Sequence, residues 1–186
     1  MMRTTNYNGK EYTRNQMAYI NAALRDAYAP GMNVQVLENP GYSADQMALI
    51  YAGMRLGHDV SVFANPAFDL DQMMEIFLGQ QLGLDVTIYA RPEFSSDQML
   101  QVRDGLDRGL NASVYADPKY SAGVMEEIRI GLDRGLDVST MLDPEMRDVD
   151  ALAERKYLEA KAGIGGVHGY EYGDEPRRYF LRTSAN

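Results

Sequence analysis

Residues 94–119 read FSSDQMLQVRDGLDRGLNASVYADPK, and the stretch before them, 68–93, reads FDLDQMMEIFLGQQLGLDVTIYARPE. Written one above the other, the two agree at an aromatic start, an Asp-Gln-Met triplet, two glycines four residues apart and a closing Tyr-Ala-x-Pro. The agreement extends outward in both directions. Pro40, Pro66, Pro92, Pro118 and Pro144 stand 26 residues apart, and so do Gly53, Gly79, Gly105 and Gly131. Gly57, Gly83, Gly109 and Gly135 keep the same step, as do Met47, Met73, Met99 and Met125. Four interleaved ladders at one period are the signature of stacked supersecondary units, each unable to bury its apolar face alone.

Each unit opens with a helix start. Thr13, Ser43, Asp69, Ser95 and Ser121 are residues whose side-chain oxygens accept orphan backbone N–H groups. Three residues on, Gln16, Gln46, Gln72 and Gln98 complete capping boxes, and Val124 breaks the pattern. Tyr12, Tyr42, Phe68, Phe94 and Tyr120 precede the caps, while Met17, Met47, Met73, Met99 and Met125 follow at hydrophobic-staple spacing. Apolar residues then recur at three- and four-residue steps, as in Met99, Val102, Leu106 and Leu110. The glycines at 57, 83, 109 and 135 suit a left-handed helix end. The mid-helix glycines at 53, 79, 105 and 131 cost about 1 kcal/mol each against alanine, so a close backbone neighbour is expected there.

The rest of the unit reads HDVSVFANP, LDVTIYARP, LNASVYADP and LDVSTMLDP. The alternation Val-Ser-Val-Phe fits an extended segment, giving a helix-plus-strand solenoid like leucine-rich repeats. Alternatively Asp59, Asp85 or Asp137 caps a short helix ended by the proline, and that reading is preferred. The expected fold is therefore mainly α: a solenoid of about five 26-residue units, each a long helix plus a short helix or extended segment. An α/β leucine-rich-repeat-like solenoid is the alternative.

The first copy, from Tyr12, has four extra residues before its glycine, which predicts a helix longer by one turn. After Pro144 the pattern decays, as in a capping unit. We read residues 1–165 as one repeat domain with N- and C-terminal caps, and 166–186 as a tail. That tail carries Arg177, Arg178 and Arg182 among aromatics, and packing as a last strand, covering an end and contacting a partner are all open for it.

The skeleton Tyr/Phe-Ser-x-x-Gln-Met…Gly-Leu…Gly-Leu-Asp-Val-Ser-x-Tyr-Ala-x-Pro, over roughly residues 12–146, resembles the short tandem repeats of proteins carried by phages and integrative elements of gut Firmicutes. The Val-x-x-Tyr-Ala-x-Pro stretch is also distantly similar to leucine-rich-variant repeats. In size, acidity and repeat character the chain resembles a type II anti-CRISPR, an inhibitor of Cas9. That resemblance implies a cytoplasmic protein of a bacterial host cell that blocks target-DNA binding or cleavage. It carries over no site residues.

The chain has 186 residues, a net charge of −9 and no cysteine. Without cysteine there are no disulfides, zinc–thiolate sites or thiol nucleophiles. An acidic surface repels nucleic-acid phosphates, so no direct nucleic-acid binding is expected. It suits a protein partner with a basic surface, such as Cas9 with its guide RNA, although the charge could equally serve solubility alone. No apolar run is long enough for a membrane span, and the N-terminal stretch has no apolar signal core.

Catalytic chemistry finds little footing. His58 occupies the place of Leu84, Leu110 and Leu136, a packing or surface position. His168 lies in a glycine-rich stretch lacking the third glycine of a dinucleotide fingerprint and the lysine of a phosphate loop. The expectation is no catalytic, cofactor-binding or metal-ligating residue and no cofactor. Between residues 59 and 97, Asp59, Asp69, Asp71, Glu75, Asp85, Glu93 and Asp97 face only Arg91, a net −6. Stacking would align these into an acidic stripe, read either as a solvated face or as a docking surface. The partner-binding candidates are Asp59, Asp71, Glu75, Asp85, Glu93 and Asp97, with the aromatic row Phe63, Tyr89 and Tyr115 as core or groove lining. A generic scaffolding module, homodimeric through an exposed end or apolar face, is the second functional reading.

Overall fold

The structure, a computed structural model, describes residues 4–164, so the tail and His168 lie outside the described residues. Among the described residues the fold is mainly helical. A hairpin of β1 (Thr4–Tyr7) and β2 (Lys10–Thr13) precedes six helices: α1 (Arg14–Arg25), α2 (Ala44–Leu56), α3 (Leu70–Gln81), α4 (Ser96–Asp107), α5 (Ala122–Asp133) and α6 (Asp148–Lys161). Helices pack in chain order, α1 on α2, α2 on α3, and so on to α5 on α6.

All five cap residues named from the sequence accept a backbone N–H at the third helical position, and the four glutamines close capping boxes as expected. The staple residues Tyr42, Met47, Phe68, Met73, Phe94 and Met99 are buried. The ambiguous segments are short 3₁₀ turns, not strands: Val34–Leu37, Val60–Val62, Val86–Ile88, Ala112–Val114 and Ser139–Met141. The extended, leucine-rich-repeat-like alternative is thereby set aside. Asp59 and Asp85 hold their turns by accepting the amides of Ser61 and Thr87 at 3.0 and 3.1 Å, a local bond that outcompetes strand formation. Each proline then sits second in a reverse turn, as where the Phe94 amide reaches the Arg91 carbonyl at 3.1 Å.

Two expectations are corrected. The first helix is no longer than the rest, for α1 ends at Arg25 and the four extra residues form a turn with Tyr28 at its fully exposed tip. Nor do the mid-helix glycines admit a neighbouring backbone; they admit side chains. A Cβ on Gly79 or Gly105 would lie 2.0 Å from the hydroxyl of Tyr89 or Tyr115. Those hydroxyls donate to the carbonyls of Glu75 (3.2 Å) and Gln101 (3.0 Å), one turn before each glycine.

The N-terminal hairpin is an addition that the repeat did not announce. Its signal was present: Asn8-Gly9, with φ of 49° and 76°, is the dipeptide a tight type I′ turn requires.

Candidate docking surface

The sequence candidates separate into three groups. Phe63, Tyr89 and Tyr115 are completely buried, in a row completed by Leu37 and Met141. They are core and offer nothing to a partner, which corrects their candidacy. An aromatic ring buries a large apolar area, so at the unit joint it belongs inside. Burial also pushes the Tyr89 and Tyr115 hydroxyls well above the ordinary tyrosine pKa.

The acidic residues do not form one stripe. Asp59 and Asp85 are exposed in the 3₁₀ turns that follow the helix C-termini. Asp71 and Asp97, with Asp45 before them, are exposed in the first turns of α3, α4 and α2, at the opposite ends of the helices. There they meet the positive end of the helix dipole. Glu93 is exposed in the connection that leads into α4. Glu75 is committed elsewhere: its carboxylate lies 2.7 Å from the Arg103 guanidinium in a largely buried pair.

The structure brings three candidates together. Asp71, Met74 and Glu75 of α3 and Ser96, Asp97 and Leu100 of α4 line a shallow depression of about 230 Å³. Met74 is 38% exposed among them. Two exposed carboxylates with the apolar side chains of Met74 and Leu100 beside them match a lysine or arginine, whose stem is apolar and whose head is charged. Arg91, the only cation between residues 59 and 97, is laid aside, for its guanidinium stacks over the Phe94 ring at 4.7 Å.

Sequence reading missed two inter-unit networks that hold these helix starts in place. Each capping glutamine is buried, and its Nε2 donates into the next unit: Gln72 to the carbonyls of Pro92 (3.2 Å) and Phe94 (2.5 Å), Gln98 to those of Pro118 (3.0 Å) and Tyr120 (2.5 Å). The second is a buried arginine row, again at the repeat step. Arg103 donates to Glu75, Arg129 to Gln101 (3.0 Å) and Arg155 to Glu127. The 26-residue spacing of these three arginines was readable, but their pairing with residues 28 positions earlier depends on how the helices are offset.

His58 has its ring edge-on to Phe77 at 5.2 Å, and its Nε2 is buried without a hydrogen-bond partner among the described residues. Burial lowers its pKa. A second cluster stands at the C-terminal ends of α1 and α2, where exposed Tyr28 lies with Ala29 beside Arg25, Asp26 and Arg55. Among the described residues no helix is long and apolar enough to cross a membrane. Compared with known proteins, the chain matches no family model, no curated protein and no solved structure.

Proposed function

We propose that the chain is a non-catalytic binding protein, a solenoid of about five 26-residue units whose acidic helix-start surface docks on a basic surface of another protein. The observation that carries this is the depression between α3 and α4, lined by exposed Asp71 and Asp97 together with Met74 and Leu100. A partner lysine or arginine would place its head between the two carboxylates and its stem on Met74. Electrostatic attraction of this kind raises the encounter rate more than the final affinity. Given the resemblance to inhibitors of Cas9, the first partner to test is Cas9 with its guide RNA, in the cytoplasm of a bacterial host, where a bound acidic chain would block target-DNA binding or cleavage.

The test is a titration of purified chain into Cas9–guide complexes from several orthologues, reading complex formation and target cleavage. The expected result is a stoichiometric complex and loss of cleavage. The double variant Asp71→Lys/Asp97→Lys is expected to weaken binding at least tenfold, mainly through a slower on-rate. Unchanged cleavage at excess chain across orthologues would remove Cas9 as the partner. Full binding by the double variant would remove the acidic surface.

A second reading, a protein-interaction scaffold without a defence role, is favoured by the cluster of exposed Tyr28 with Arg25 and Arg55. An exposed tyrosine beside arginines matches the tyrosine and arginine enrichment of interface anchors. A pull-down that depends on Tyr28 and not on Asp71 would support it.

A further inference from the structure

Asn8 is the one asparagine of the chain that is followed by glycine. That pairing is chemically weak. Asparagine is thermolabile, and glycine has no side chain to shield its own amide nitrogen. The Gly9 nitrogen can therefore attack Cγ, the side-chain carbonyl carbon of Asn8. Both groups are accessible. Asn8 and Gly9 are exposed at the tip of the β1–β2 hairpin, and a Cβ built on Gly9 would meet nothing within 4 Å. Among the described residues no hydrogen bond holds the Gly9 N–H. Other asparagines are guarded. Asn39 and Asn65 precede prolines, whose nitrogens have no proton to give up. The Asn33 side chain accepts the Gln35 amide at 3.2 Å, that of Asn111 accepts the Ser113 hydroxyl, and Asn15 and Asn21 lie within α1.

The hairpin tip is tied down by Glu38, at the end of the first 3₁₀ turn. The Tyr7 hydroxyl and Asn8 Nδ2 donate to its carboxylate at 3.4 and 3.1 Å, and Lys10 Nζ donates to its carbonyl at 2.7 Å. We propose that Asn8-Gly9 is a self-modifying site latched by Glu38, and that its reaction unties the hairpin tip from that turn. The Gly9 nitrogen forms a bond to Cγ, the Cγ–Nδ2 bond breaks, and Nδ2 leaves as ammonia with the Gly9 amide proton. Water then opens the resulting succinimide at either of its carbonyls, leaving aspartate or isoaspartate where Asn8 stood. Ring closure pulls Asn8 out of its left-handed conformation, at φ of 49°, so the reaction runs from the opened tip. A two-stranded hairpin is marginal by itself, so the contacts to Glu38 set how often the tip opens. The product cannot return to them. A carboxylate takes the place of the Nδ2 donor and faces the Glu38 carboxylate, a like charge at hydrogen-bond distance. Isoaspartate also lengthens the backbone of a turn that pairs Tyr7 with Lys10. The change is therefore one-way, and it is independent of the acidic surface of α3 and α4.

The test keeps the full chain warm at neutral to mildly alkaline pH and follows it by peptide mapping with mass spectrometry. Asn8 is expected to gain one mass unit before any other asparagine, as a mixture of aspartate and isoaspartate. Glu38→Ala is expected to speed that conversion about tenfold, since it removes two hydrogen bonds that hold the tip closed. Asn8→Asp, made directly, is expected to exchange its hairpin amides about tenfold faster than the original chain, with α2 to α5 unchanged. Asn8→Asp/Glu38→Gln is expected to recover the original exchange, because the glutamine amide can donate to the new carboxylate. Conversion at Asn8 no earlier than at other asparagines overturns the proposal. So does a conversion rate indifferent to Glu38→Ala, or an Asn8→Asp hairpin that exchanges as slowly as the original.

Discussion

At Gly105 the absence of one methyl group lets the Tyr115 hydroxyl reach the Gln101 carbonyl. Gly105→Ala gains roughly 1 kcal/mol of helix propensity but drives a carbon into that hydroxyl and breaks its hydrogen bond. The expected net loss is about 2–3 kcal/mol, lowering Tm by roughly 5–10 °C in calorimetry. Tyr115→Phe alone costs about 1 kcal/mol. Adding Gly105→Ala to Tyr115→Phe is expected to cost little more, because the offending oxygen is gone; a simple sum of the two losses would refute the steric account. His58 is a different case, a buried nitrogen without a hydrogen-bond partner among the described residues. Its pKa lies below that of the unfolded chain because burial disfavours the cation. The unfolded state therefore binds the proton more readily, so stability is intact above about pH 6.5 and is lost as pH falls through the depressed folded pKa. His58→Leu, the residue found at the equivalent position of the next three units, is expected to raise Tm at neutral pH and to remove this acid-side loss. A variant as acid-sensitive as the original from about pH 6.5 down to about pH 5 would show that another group titrates there.

At the level of elements, the glutamine of each capping box works in two directions. Its oxygen accepts from the cap amide of its own helix, while its nitrogen ties that helix to the next. Gln72→Ala strands the Asp69 amide and the carbonyls of Pro92 and Phe94, and is expected to cost about 2–4 kcal/mol by chemical denaturation. Gln72→Glu keeps the shape but offers a carboxylate to two carbonyls. It can donate only when protonated, so its deficit should shrink as pH falls toward about 4. Where the glutamine is replaced by Val124, the joint changes hands: Ser121 donates to Asp148, whose carboxylate occupies the space left by Gly123. The α5 first turn has no acidic residue of its own and takes one from α6. In the arginine row, Arg129 faces a neutral amide where Arg103 and Arg155 face glutamates. Gln101→Glu restores the pair and is expected to stabilise by up to about 1 kcal/mol, since charge-assisted hydrogen bonds exceed neutral ones while desolvation offsets part of the gain.

For the whole molecule, substantial helix–helix contacts among the described residues join chain neighbours only. In such an arrangement each helix is protected by its two neighbours in the stack, so opening starts at the ends. Amide hydrogen exchange on dilute protein is expected to be slowest in α3 and α4 and fastest in the hairpin and α6. Uniform protection would mean that the chain opens as one unit.

Local chemistry and regular spacing were enough to set the period, the helix starts at Thr13, Ser43, Asp69, Ser95 and Ser121, and the mainly helical class. Caps, boxes and staples act within a few residues of each other, so they can be read along the chain. Four other things were settled in space. The hydroxyl that fills Gly79 comes from Tyr89, and the carbonyls that satisfy Gln72 come from Pro92 and Phe94, in the turn that leads to the next helix. The arginine row finds its partners 28 residues back. The expected acidic stripe parts into two rows, because a residue's position along its unit sets whether it lies at the start or the end of the helix. Spacing fixes which residues are equivalent; only the offset and tilt of neighbouring helices fix what each equivalent residue touches.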